Sequence, residues 1–157
     1  MKAAIAEVLS TALYAGYTPK APGTAGALFG LFLIYVLHTF AAMDKLQLAF
    51  LVCLMLGPAV WATNEMIDAM QLEDPQCVVI DEVIGQMIAF LPVSLFNVWD
   101  YLAAFLLFRA FDIWKPFPVN VLEKLPRGIG VLADDVMAGV YAALIIYAGQ
   151  SFTALPL

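Results

Sequence analysis

Six carboxylates define the chemistry open to this chain: Asp74, Asp81, Glu82, Asp112, Asp134 and Asp135. They are distant in sequence and stand at the ends of hydrophobic runs. Runs that reverse direction in turn bring all six to one face of a membrane, where Lys20, Arg109, Lys115 and Arg127 also land. Oxygen ligands without histidine or cysteine suit Mg2+, which is usually held by a few carboxylates and a substrate phosphate. Lysine and arginine neutralise the remaining phosphate oxygens. A site of this kind at a bilayer surface points to a phospholipid with an anionic headgroup as substrate.

Four local patterns carry the reading. In Asp74-Pro75-Gln76-Cys77-Val78-Val79-Ile80-Asp81-Glu82, the Asp-Pro pair predicts a helix start capped by Asp74, with Asp81 seven residues on and nearly over it. Adjacent carboxylates at the head of an apolar run are costly unless paired or metal-bound, although a solvated helix N-terminus shares the pattern. Arg109, Asp112 and Lys115 have the i, i+3, i+6 spacing of one side of a helix end, which a surface ion-pair ladder also has. Gly128-Ile129-Gly130 leads into Asp134-Asp135, glycines ahead of a helix that allow close approach to an anion and acids that offer hard ligands. The turn Pro19-Lys20-Ala21-Pro22-Gly23-Thr24 offers a lysine, a hydroxyl and free backbone N–H groups at a helix start, which suits phosphate.

Several other phosphate chemistries are excluded. Neither Cys53 nor Cys77 is followed by arginine in a Cys-x5-Arg pattern, and both read as small buried hydrophobes. The single histidine, His38, rules out a two-histidine mechanism and reads as a lining residue. The Asp-x-Asp of haloacid-dehalogenase phosphatases and the acidic signature of CDP-alcohol transferases are both missing. A net charge of −6 argues against a nucleic-acid partner.

The elements that position these groups are membrane helices. Hydrophobic residues make up 64% of the chain and charged ones 13%, against about a quarter charged in soluble domains. Mean hydropathy is +0.91 and the pI is near 4.4. The expected fold is an all-α bundle, a single membrane-embedded domain over 1–157, with about five spans and an amphipathic helix over Ala3–Tyr14. The expected runs are Ala25–Ala42, Leu46–Ala62 closed by Trp61, Val83–Val98 ending near Asn97, Tyr101–Phe111 and Val136–Gly149. A polar stretch, 63–76, separates the second from the third. Cations gather on the N-terminal side, leaving Lys45 on the other, so the positive-inside rule places the carboxylates in the cytoplasm.

Four segments resemble the phosphatidylglycerophosphatase A family. They are Pro19-Lys20-Ala21-Pro22-Gly23-Thr24, Val79-Ile80-Asp81-Glu82-Val83-Ile84-Gly85, Phe108-Arg109-Ala110-Phe111-Asp112-Ile113-Trp114-Lys115-Pro116, and Gly128 through Gly139. The resemblance runs from about Gly16 to Tyr141 with the motifs in family order. Ala27 stands where serine is common, and Pro126-Arg127 replaces the usual residues before Gly128, without loss of a carboxylate. The resemblance implies a Mg2+-dependent enzyme of the bacterial inner (cytoplasmic) membrane that converts phosphatidylglycerophosphate to phosphatidylglycerol in phospholipid biosynthesis.

On this reading Asp81, Glu82, Asp112, Asp134 and Asp135 hold one or two Mg2+, with Asp74 a ligand or base nearby. Lys20, Thr24, Arg109 and Lys115 grip the phosphate. Residue types leave open direct attack by water or a phospho-aspartate. They also leave open phosphatidic acid or a polyprenyl phosphate as substrate. A non-enzymatic cation carrier or complex subunit is the alternative of another class. It fits less well, because the acids lie on one side, mid-span polar residues are few (Ser94, His38) and no repeat is visible.

Overall fold

The computed structural model describes residues 2–93 and 98–153, and Ser94 and Asn97 lie outside them. The described residues are helical, with no strand among them. The helices are α1 (Lys2–Ser10), α2 (Pro22–Ala41), α3 (Lys45–Met70), α4 (Ile80–Phe90), α5 (Val98–Trp114), α6 (Val119–Leu122) and α7 (Gly128–Thr153). A 3-10 turn, Ala15–Tyr17, separates α1 from α2. Three of them, α2, α3 and α7, are long and apolar enough to cross a membrane.

That count is smaller than the five crossings expected. The reason is length, because a helix rises about 1.5 Å per residue against a hydrocarbon core of about 30 Å. With 11 residues, α4 extends about 16 Å, and with 17 residues α5 extends about 25 Å. The expected run Val83–Val98 breaks where Leu91-Pro92 follows α4, since proline removes the backbone donor that would continue the helix. The expected stop at Ala62 is also corrected. α3 continues through Asn64, Glu65 and Asp68, because polar side chains end an apolar run without ending a helix. Its start is sealed by a capping box, in which Asp44 accepts from the Gln47 N–H at 2.8 Å and Gln47 accepts from the Asp44 N–H at 2.9 Å.

Two expected helix starts move as well. α4 begins at Ile80, and Asp74-Pro75 lies in the preceding loop, where the Val78 N–H donates to the Pro75 carbonyl. The Val79 N–H donates to the Ser10 carbonyl at 2.8 Å, so the end of α1 ties down the entry to α4. Gly128 and Gly130 open α7 itself, leaving Asp134 and Asp135 about two turns inside the helix. The N-terminal helix ends at Ser10 and packs against α3. Of the two cysteines, Cys77 is buried and Cys53 is exposed, where a buried hydrophobe was expected.

The short α4 lies at the centre, apolar nearly all round and buried along almost its whole length, as an internal helix must be. It packs chiefly against α7 and α2. The α4–α7 approach is so close that only glycines fit. A Cβ on Gly139 would run into the Gly85 carbonyl, and one on Gly85 would meet Phe108 and come within 2.7 Å of the Asp135 carbonyl. On the other side, Gly26 and Gly30 of α2 press on Val79, just before α4, and on Val83 within it. This small-residue packing is how helices in a membrane come together without a hydrophobic driving force between them.

Gly139→Val therefore has to separate α4 from α7. It is expected to cost about 1–3 kcal/mol, the usual range for overpacking, and to lower the thermal midpoint in detergent. Gly57→Ala in α3 faces open space and is expected to hold or raise the midpoint.

Candidate active site

The helices converge at one end on a cleft of about 970 Å³. Its walls come from the N-terminal turns of α2, α4 and α7 and from the C-terminal parts of α3 and α5. Each of the ten residues singled out by sequence lines it: Lys20, Thr24, Asp74, Asp81, Glu82, Arg109, Asp112, Lys115, Asp134 and Asp135. His38 lies in the last turn of α2, at the other end of that helix.

The carboxylates divide by surroundings. Asp81, Glu82 and Asp135 bring carboxylate oxygens within 4.8 Å of one another. Asp81 and Asp135 are 6% and 4% exposed, so this negative charge sits in a low-dielectric interior. Asp81 turns back to accept the Glu82 N–H at 3.0 Å. Burial, followed by the neighbouring Glu82 carboxylate, pushes the Asp81 carboxyl well above its ordinary range. Burial also raises Glu82, and Asp112 adds to the shift while Arg109 opposes it. The Glu82 Oε2 atom is buried without a hydrogen-bond partner. Three hard oxygen donors in one place, one of them unpaired, fit a divalent cation of the Mg2+ type.

Glycine makes room for this cluster. A Cβ at Gly23, in the first turn of α2, would collide with Glu82 Oε1 and come within 3.1 Å of the Arg109 guanidinium. The α4–α7 contact at Gly85 holds the Asp135 backbone against α4, which brings Asp135 to the α4 acids. Asp112 lies close enough to Asp135 for the two carboxylates to act on each other.

The other two expected metal carboxylates have cation partners. Asp112 pairs with Arg109 one turn earlier on α5. Asp134 accepts from Lys115 Nζ at 2.7 Å, and Lys115 also holds Glu123 at 2.8 Å. The expected i, i+3, i+6 ladder thus stops at Asp112. α5 ends at Trp114, and Lys115 takes a left-handed backbone conformation (φ 47°) and meets Asp134 of α7 and Glu123, just past α6. Its ammonium pKa is raised, with desolvation opposing and the hydrogen bonds it donates to Asp134 and Glu123 prevailing. Asp74 lies exposed at the rim, away from a helix start.

Glu73, Glu123 and Lys124 also line the cleft, though the motifs did not place them in the site, and so does Arg127, expected on this face. Arg127 donates to Asp68 Oδ2 at 2.7 Å and to Asn64, whose Oδ1 also accepts the Gly128 N–H at 2.9 Å. The start of α7 is therefore capped by a side chain of α3. No periodicity marks Glu123 and Lys124, because α6 is a single turn of four residues. Their one sequence signal is position, between Lys115-Pro116 and the glycines that open α7.

The family model for phosphatidylglycerophosphatase A matches residues 8–150. The chain belongs to the phosphatidylglycerophosphatase A family. Proteins named phosphatidylglycerophosphatase A from Haemophilus influenzae and Escherichia coli are 33% and 31% identical to it, over 91% and 89% of this chain and 87% and 80% of theirs. A Bacteroides thetaiotaomicron protein provisionally named phosphatidylinositol-3-phosphatase is 40% identical, over 88% of this chain and 89% of its own. No solved structure matches. Membership in the phosphatidylglycerophosphatase A family makes the chain a phosphatase, a phosphoric monoester hydrolase, and sets aside the carrier and complex-subunit alternative.

Three carboxylates this close, two of them buried, repel one another in the absence of a cation. Purified in EDTA, Asp135→Asn is expected to be more stable than the parent by about 1–3 kcal/mol, because a buried charge without a partner is removed. Mg2+ is then expected to raise the thermal midpoint of the parent and leave that of Asp135→Asn unmoved. A parent that melts identically in Mg2+ and EDTA would contradict a cation site here.

Proposed function

We propose that this chain is a Mg2+-dependent lipid phosphatase that removes the terminal phosphate of phosphatidylglycerophosphate to leave phosphatidylglycerol, a step of phospholipid biosynthesis. It works as a multi-pass protein of the bacterial inner membrane, with the cleft facing the cytoplasm. The observation that carries this reading is the buried group Asp81, Glu82 and Asp135, lining one cleft with Lys20, Arg109 and Lys115. Family membership supports the reaction class, and the two relatives named for phosphatidylglycerophosphatase support the substrate.

In this reading Asp81, Glu82 and Asp135 hold Mg2+, with Asp112 and Asp134 completing the acidic set. A bound ion would supply positive charge to the phosphoryl oxygens and lower the pKa of a water it holds. Arg109, lodged between Gly23 and Asp112, offers its planar fork to two phosphate oxygens. Lys20 and the Thr24 hydroxyl approach from the first turn of α2, where free backbone N–H groups and the positive helix end also favour an anion. Lys115, fixed by Asp134 and Glu123, adds a cation whose position is set before substrate arrives. Asp74 at the rim serves as a further ligand or as a base.

A second reading keeps the chemistry and changes the headgroup. The 40% identical relative is named for a phosphoinositide, which like phosphatidylglycerophosphate carries a phosphomonoester beyond a phosphodiester.

Phosphate release by the detergent-purified protein decides between them. The substrates are phosphatidylglycerophosphate, phosphatidylinositol 3-phosphate and phosphatidic acid, each in Mg2+ and in EDTA. The expected result is Mg2+-dependent release from phosphatidylglycerophosphate, reduced more than about a hundredfold in Asp81→Asn. Preferential release from the phosphoinositide would favour the second reading. Release unaffected by EDTA would remove the metal from the mechanism.

A further inference from the structure

Eight carboxylates and five cations line the cleft, and the cations differ in how far they are already engaged. Arg109 is held by Asp112, Lys115 by Asp134 and Glu123, and Arg127 by Asp68. The ammonium groups of Lys20 and Lys124 are in no ion pair or hydrogen bond among the described residues. Lys20 belongs with Thr24 at the start of α2 and goes to the reacting phosphate in the reading above. Lys124 is a cation without a carboxylate partner and without a role.

Its backbone is nonetheless held firmly. The Lys124 N–H donates to the Val121 carbonyl at 3.1 Å, and the next N–H, of Leu125, donates to Leu122 at 3.0 Å. The carbonyls of Glu123 and Leu125, on either side, press on Gly130 of α7, where a Cβ would collide with them. Glu123 is linked through Lys115 to Asp134. Lys124 therefore projects from a segment fixed beside the acidic cluster, with only its flexible stem free to adapt.

We propose that Lys124 recognises the phosphodiester that the substrate keeps after hydrolysis, a second anion subsite next to the one for the reacting phosphomonoester. The proposal rests on the phosphatidylglycerophosphate reading. That lipid carries two phosphates joined by glycerol, whereas phosphatidic acid has a monoester alone. A second anion entering a cleft with more carboxylates than cations meets repulsion, and an ammonium not already neutralised offsets it. The diester does not change charge in the reaction. A group that binds it stabilises ground state and transition state alike, so its loss appears in KM and spares kcat.

The test compares the parent with Lys124→Ala and Lys124→Arg in mixed micelles. Four quantities are measured: KM and kcat for phosphatidylglycerophosphate, inhibition by phosphatidylglycerol, which retains only the diester, and inhibition by inorganic phosphate, which resembles only the monoester. In Lys124→Ala, KM is expected to rise about tenfold, the size of a lost charge-assisted hydrogen bond, with kcat within about twofold. Inhibition by phosphatidylglycerol should weaken by a similar factor, inhibition by inorganic phosphate should hold, and Lys124→Arg should recover most of the loss. An unchanged KM overturns the subsite, as does equal weakening of both inhibitors, which would mark a general loss of positive charge. A parent that releases no phosphate from phosphatidylglycerophosphate overturns the functional reading first, and the subsite with it.

Discussion

Negative charge buried in an apolar bundle is the constraint around which the structure is arranged. Moving a carboxylate from water into a low-dielectric interior costs several kcal/mol unless a counter-charge and hydrogen bonds replace its hydration. Asp81, Asp134 and Asp135 are all nearly inaccessible, in a chain whose composition favours lipid over water. Each neighbouring feature answers that cost. Asp134 has Lys115, Asp112 has Arg109, and Asp81 has the Glu82 N–H. Asp81, Glu82 and Asp135 remain together without a cationic side chain between them, which is the arrangement a divalent ion needs.

The central packing follows from the same constraint. To bring acids from α4 and α7 within 4.8 Å, the two helices must approach more closely than ordinary side chains allow. Gly85 and Gly139 provide that approach, and Gly23 leaves space for Glu82 and Arg109. α4 is short because its task is to carry Asp81 and Glu82 into the bundle while its apolar remainder is covered by α2 and α7. A helix that need not reach the opposite membrane face can be 11 residues long. Position, more than span length, explains its near-complete burial.

Much of this was legible in residue types. Carboxylates beside cations at run ends, with glycines nearby, pointed to one site, and the ten residues so identified share one cleft. Hydropathy was less informative about helix ends. It treats the polar residues Asn64 and Asp68 as a boundary, although α3 runs on to Met70 and uses both to hold Arg127. It also joins α4 to the residues beyond Pro92, because a window average does not register a missing backbone donor. The Asp74-Pro75 signal was chemically sound as a helix start. It was overridden by the tertiary bond from Val79 to Ser10, which fixes the chain just before Ile80. Glu123 and Lys124 had no local pattern to reveal them, since their placement depends on Lys115 and Gly130, which belong to other elements.

The helix directions give the cleft a further property that no single side chain supplies. α2, α4 and α7 all begin there, so three N-termini turn their unpaired N–H groups and partial positive charge toward it. Each such end is equivalent to roughly half a positive charge, an effect confined to about the first turn. Asp81 and Glu82 lie within that turn of α4 and are stabilised by it. Asp134 and Asp135 lie deeper in α7, beyond its reach, and it is Asp134 that needs Lys115. Helix polarity and discrete cations thus divide the work of holding the acids. Charge left over from that division, at the start of α2 and at Lys20 and Lys124, is what the proposed function assigns to the substrate's phosphates in a cleft that is acidic by count.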